Sequence, residues 1–234
     1  MTHPHGDQPD QHAHGHGQEG HGQEEPDIAR MLTPEYWDER YASAPAVWSG
    51  NVNPRLVEQA SDLAPGTALE VGSGEGADAI WLARRGWQVL ALDISRVALE
   101  KAAGHAAEAG PEVAGRITWQ QVDLATWSPS AQVDLVTAQF MHLPRPLLLD
   151  VHRALATAVR PGGTLLVVGH HPDDPQHAGR QHMREMMFTA EEVAANLDPE
   201  HWDVVVAAAP ERVVDVDRHP GKLRDAVLRA VRRA

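Results

Sequence analysis

The chain of 234 residues contains no cysteine, which excludes disulfides, thiolate metal sites and thiol nucleophiles. Positive charge is also scarce, and the formal net charge is −13. The first thirty residues carry six acids against one arginine, leaving −8 on residues 31–234. Phosphate binding draws on a surplus of Lys and Arg, so nucleic acid is not an expected partner. No apolar run approaches the roughly 18 residues of a membrane span. The N-terminus is polar where a signal peptide would carry an apolar core. These absences imply a soluble, cytoplasmic protein with no membrane partner. The folded part also lacks H-E-x-x-H, clustered metal ligands and anything resembling a nucleophilic triad, so no metal site is expected there.

Residues 1–27 have no aliphatic side chain larger than alanine after Met1, yet hold six of the fifteen histidines among Gly, Gln and Pro. Such a segment buries too little surface to offset its ordering entropy and is expected to be a disordered His/Gly-rich tail. Its alternating His-Gly spacing suits weak chelation of Ni, Zn or Cu. A solvated tail without a specific task is the plainer reading.

From residue 28 onward a single domain is expected. Thr33-Pro34 and Asn53-Pro54 each pair a capping side chain with proline at the first helical position, ahead of PEYWDERYAS and RLVEQASDL. Apolar runs at 67–72, 87–93, 116–123, 132–139 and 163–170 then alternate with alanine-rich helical stretches near 76–85, 95–109 and 146–159. Buried strands alternating with helices predict a doubly wound α/β fold on a mainly parallel sheet. Thr189-Ala-Glu-Glu192 reads as a capping box, and WDVVVAAA (202–209) as a sixth strand. By propensity alone DAVLRAVRRA (225–234) would be a helix, although its apolar spacing also fits a strand.

After the first strand comes LEVGSGEGA (69–77), in which Gly72, Gly74 and Gly76 alternate with other residues. Glycine is kept where φ must be positive or where a ligand meets the main chain. In an α/β sheet this first turn is the usual ligand cradle. Gly72-x-Gly74-x-x-Ala77 satisfies a loose dinucleotide fingerprint, so the glycines alone leave the ligand open. The carboxylates narrow it. Glu70 and Glu75 beside a pyrophosphate would each cost on the order of a kcal/mol, whereas a ligand with an ammonium and a sulfonium would be attracted. S-adenosylmethionine carries both and no phosphate. Asp93 ends the second strand 21 residues after Gly72, placed for ribose hydroxyls, and Asp123 ends the third, placed for an adenine amino group with Leu124 covering the ring.

With VDLATW and DLVTAQFMHLP downstream, the stretch LEVGSGEGADAIWLARRGWQVLALDIS resembles the class I S-adenosylmethionine-dependent methyltransferases, nearest the thiopurine and tellurite branch. Ser73 stands where that branch often has cysteine. The resemblance implies a Rossmann-like seven-stranded sheet, mostly parallel with an antiparallel last strand beside the sixth, and so makes DAVLRAV a strand. It implies that Glu70 and the turn of Gly72, Ser73, Gly74 and Gly76 hold the methionine end of the cofactor. It assigns Asp93 to the ribose, Ile94 and Leu124 to the two adenine faces, Asp123 to the adenine edge, and Gln139 to the floor beneath the sulfonium. Residues 31–52 would form an N-terminal lid in which Trp37, Arg40, Tyr41 and Trp48 close over cofactor and substrate. The tryptophans and Tyr41 could equally pack a helix on the core.

His142, after the fourth strand, and His170-His171, after the fifth, belong to the same rim. A histidine there can accept a proton from an acceptor nucleophile, which makes His142 and His170 candidate catalytic residues, although a hydrogen-bonded rim histidine is the plainer reading. The function that follows is methyl transfer to a small-molecule acceptor by in-line displacement. Two rivals remain. One is an NAD(P)-dependent oxidoreductase, for which no Tyr-x-x-x-Lys pair is present; the other is a non-catalytic protein that binds cofactor or metal.

Overall fold

The helices start where their caps put them. Thr33 Oγ1 accepts the Tyr36 N–H and Asn53 Oδ1 the Arg55 N–H, opening α2 (Pro34–Ala42) and α3 (Pro54–Ala60) behind the four-residue α1 (Ile28–Met31). The computed structural model describes residues 28–175, 184–216 and 219–234. The tail 1–27, with its expected disorder and metal chelation, lies outside them. Next come β1 (Thr67–Val71), α4 (Ala77–Arg84), β2 (Gln88–Asp93), α5 (Arg96–Glu108), α6 (Pro111–Ala114), β3 (Ile117–Gln121) and β4 (Val133–Gln139). The second half runs α7 (Arg145–Ala158), β5 (Val159–His170), α8 (Ala190–Ala194), β6 (Trp202–Ala208), β7 (Glu211–Val216) and β8 (His219–Arg232). The Thr189–Glu192 capping box at α8 is formed in both directions.

Strand order is β3-β2-β1-β4-β5-β8-β6. The strands β1 to β5 are parallel, and β8 runs antiparallel between β5 and β6. The last strand therefore lies beside the sixth as expected, but it also separates the sixth from the fifth. Period-two alternation divides each central strand between two cores. Leu69, Val71, Leu165, Val167, Ala226 and Leu228 face the layer of α7 and α8. Ala68, Leu166, Val168 and Val227 face the opposite layer with Leu56, Leu82 and Trp87. Burial of both faces is why DAVLRAV is extended, whatever its helical propensity. The eighth strand, β7, was not expected; it forms a hairpin with the leading half of β8. Among the described residues no helix is long and apolar enough to cross a membrane.

One core residue makes stability depend on pH. His152 on α7 is 2% exposed and packs edge-on against Phe188. Neither ring nitrogen has a hydrogen-bond partner among the described residues. Burial pulls its pKa from 6.5 down to about 4. The unfolded chain takes up this proton at a higher pH than the folded one, so the neutral-histidine contribution is complete above pH 6.5 and is lost as pH falls toward 4. Against His152→Leu, the native protein is expected to lose about 3 kcal/mol between pH 7 and pH 4, read from urea unfolding at each pH. A constant difference between the two proteins across that range would refute this.

Candidate functional site

Sheet order reverses between β1 and β4, and beyond their carboxyl ends lies a cavity of about 840 Å³. Clefts at such switch points are where α/β sheets place ligands. The glycine turn forms one wall. Gly72 and Ser73 donate their N–H groups to the Leu92 carbonyl at 2.8 and 3.0 Å, and Gly74 donates to Asp93 Oδ2 at 2.8 Å. Gly74 has φ +52, and a Cβ there would stand 3.0 Å from Tyr41 Oη. Only glycine satisfies both conditions.

The floor is acidic and buried. Glu70, Asp78 and Asp93 line it, each 9% exposed or less. Burial, and then the charges of Asp78 and Asp93, push the Glu70 carboxyl well above the usual range. Burial raises Asp78 to about 6 against the Asn53 N–H that it accepts at 2.7 Å. Burial also raises Asp93, against the N–H groups of Ser95 and Gly74. Glu70 Oε2 and Ser73 Oγ are buried with no hydrogen-bond partner among the described residues. Buried carboxylates crowded together favour a cation and disfavour a phosphate.

Other sequence-derived residues gather around the same space. Asp93 ends β2 with Ile94 next to it, and both line the cavity. Asp123 holds the Ala125 N–H at 2.9 Å and lines it beside Leu124. Gln139, the last residue of β4, accepts from Asn53 Nδ2 at 2.8 Å. Gly76 completes the turn as the first residue ahead of α4. On the far rim His142 and His170 stack at 5.4 Å with an interplanar angle of 23°. Phe140 lies 4.7 Å from the His170 ring. His171 is not among the lining residues; its Nδ1 accepts the Asp173 N–H.

The segment before α3 covers the cavity. Trp37 and Trp48 line it; Trp37 Nε1 donates to the Met31 carbonyl at 2.8 Å, and Trp48 Nε1 to Tyr41 Oη at 3.0 Å. Arg40 does not line the cavity. Its guanidinium sits over the Trp37 and Trp48 rings at 5.9 and 5.2 Å. Glu75 also differs from expectation, because its carboxylate is already engaged. It accepts the N–H groups of Val47 and Trp48 and pairs with Lys101 at 3.2 Å, while Lys101 also donates to the Tyr41 and Ala44 carbonyls. It lines the cavity and also fastens the cover. Asp38 adds a second tie, taking Ser95 Oγ and the Val97 N–H at the start of α5. Asp78, Phe140 and Arg212 also line the cavity without having been singled out from the sequence, and Asn53, read there only as a helix cap, lines it too.

A family described as "Methyltransferase domain" matches residues 68–163. Ubiquinone biosynthesis O-methyltransferase of Xanthomonas euvesicatoria pv. vesicatoria (strain 85-10) is 33% identical over 150 residues, 62% of this chain and 60% of that protein. The chain thus spans about three fifths of the length of the curated relatives it matches, or less. Among solved structures, TehB from Haemophilus influenzae superposes with a TM-score of 0.62 at 16% identity, covering 86% of this chain and 67% of that one. The DhpI–SAH complex superposes with a TM-score of 0.57 at 21% identity, covering 88% and 97%. Those two likenesses show the fold. The family match and the glycine turn make residues 68–163 similar to a methyltransferase domain, and this stretch resembles the class I S-adenosylmethionine-dependent methyltransferases.

Proposed function

We propose that this chain transfers a methyl group from S-adenosylmethionine to a small-molecule acceptor. The observation that carries the reading is the buried carboxylate floor, where Glu70 Oε2 has no partner beside a glycine turn whose main chain is open to the cavity. Glu70 would take the ammonium of the methionine end, with Gly72, Ser73 and Gly74 against its backbone. Asp93 would accept from the ribose, Asp123 from the adenine amino group, with Ile94 and Leu124 on the ring faces and Gln139 beneath the sulfur. When bound, the cofactor supplies a methyl carbon whose bond to a positively charged sulfur breaks as an acceptor lone pair forms the new bond, leaving a neutral thioether. The protein's part is positioning and exclusion of water, which in well-oriented pairs is equivalent to about 10⁵–10⁸ M. Trp37 and Trp48 would supply the exclusion, and His142 or His170 would take the proton that an oxygen or nitrogen acceptor releases. The O-methyltransferase names of the relatives lend weight to a small organic acceptor.

Isothermal calorimetry with S-adenosylmethionine, followed by an S-adenosylhomocysteine release assay over thiols, phenols, amines and metalloid oxyanions, tests the proposal. Saturable one-site binding and turnover of at least one acceptor are expected. Absence of binding, or a preference for NADH, would overturn it in favour of a rival.

A further inference from the structure

The two ends of the cavity differ in charge. Five acidic side chains line it, Glu75 and Asp123 included, and Arg212 is the one Lys or Arg lining it among the described residues. We propose that Arg212 is the anchor for an anionic methyl acceptor, a flat apolar carboxylate that lies over Phe140 at the histidine end of the cavity. This rests on the methyl-transfer reading and names the acceptor class for the same site.

Arg212 belongs to β7, the strand that lies off the main path of the sheet. Its Nε donates to both oxygens of Asp225 at 3.1 Å, and among the described residues no other hydrogen bond holds the guanidinium. Asp225 is fully buried on β8 directly opposite His170, and it also accepts Arg55 Nε at 3.0 Å. One carboxylate thus serves two guanidiniums. Glu58, the other acid on Arg55, is about half exposed and screened by water, so positive potential remains on the cavity side. An arginine fixed through Nε keeps the terminal nitrogens that meet a carboxylate in parallel.

The backbone beside it gives independent support. Phe140 has φ +51, the only positive value at a non-glycine position among the described residues. A phenylalanine held there is strained, and such strain collects where a site needs a side chain aimed. The result is a row in which the Arg212 guanidinium stands 5.6 Å from the Phe140 ring, which in turn stands 4.7 Å from His170. Met141 and Leu143 of the same loop and Leu147 of α7 extend an apolar wall. A flat apolar body fits that wall and an anion fits Arg212; a cationic acceptor would be repelled by it.

The test uses the full chain saturated with S-adenosylhomocysteine and compares benzoate with benzamide, two probes of equal shape, by ligand-observed NMR titration. Benzoate is expected to bind at least about 10-fold more tightly. In Arg212→Gln the preference is expected to vanish while S-adenosylhomocysteine affinity is kept, and Arg212→Lys should keep part of it. Equal binding of the two probes, no detectable benzoate binding, or a preference that survives in Arg212→Gln would each overturn the proposal. The wild-type comparison decides by itself if the glutamine variant does not fold. Should S-adenosylhomocysteine fail to bind while the benzoate preference holds without it, the cofactor reading falls and the anion site stands. The reverse pattern removes the anion site alone.

Discussion

Gly76→Val is expected to lower folding stability by about 3–5 kcal/mol, measured by urea unfolding with Gly104→Ala as its companion. Gly76 has φ +87, and a Cβ there would lie 2.7 Å from Trp119 Cη2, 2.8 Å from Ala102 Cβ and 3.3 Å from Ala102 Cα. The indole can turn aside, but the α5 backbone cannot. The left-handed conformation and the overpacking therefore add, each costing on the order of 1–3 kcal/mol. Gly104 lies inside α5 with nothing within 4 Å of its missing Cβ, and alanine there should gain about 0.5–1 kcal/mol. A valine variant as stable as the native protein would contradict the packing described for the turn.

Asp93→Ala is expected to weaken S-adenosylhomocysteine binding by about 10²–10³-fold, or roughly 3–4 kcal/mol, by calorimetry. Its two oxygens each hold a backbone N–H from a different segment, Gly74 at 2.8 Å and Ser95 at 2.9 Å. Alanine removes the carboxylate from the cavity and also releases the turn. Asp93→Asn keeps an acceptor oxygen and should lose only about 10-fold. The fold itself should survive, because the substitution also relieves the negative crowding on Glu70. Affinity within about threefold of the native protein in the alanine variant would show that the ligand does not use this strand end.

The parts of this arrangement governed by local rules were legible in the sequence. Thr33, Asn53 and Thr189 cap their helices because a short polar side chain needs only its own next turn as partner. The glycine turn and the strand-end acids were legible for a similar reason, since both lie where a parallel sheet must open. What escaped depends on partners far along the chain. Glu75 reads as an acid awaiting a cation until Val47, Trp48 and Lys101 arrive from 26 to 28 residues away. Arg40 reads as a residue of the lid, and its place over the Trp37 and Trp48 rings is set by partners that no local rule names. Arg212 carried no signal at all, because β7 exists only as the partner of β8. DAVLRAV is a strand against its own propensity because it pairs on both edges.

That doubly paired strand has a consequence for how the chain is made. On the ribosome, β5 and β6 emerge well before β8, and neither can hydrogen-bond to the other in the native order. The inner edge of β5 stays open through the synthesis of some fifty further residues, its Leu165 to Val168 run ready to pair with a foreign strand. Completion of the sheet thus waits for β8, and a nascent polypeptide stalled before residue 219 is the form most exposed to aggregation and most in need of a chaperone.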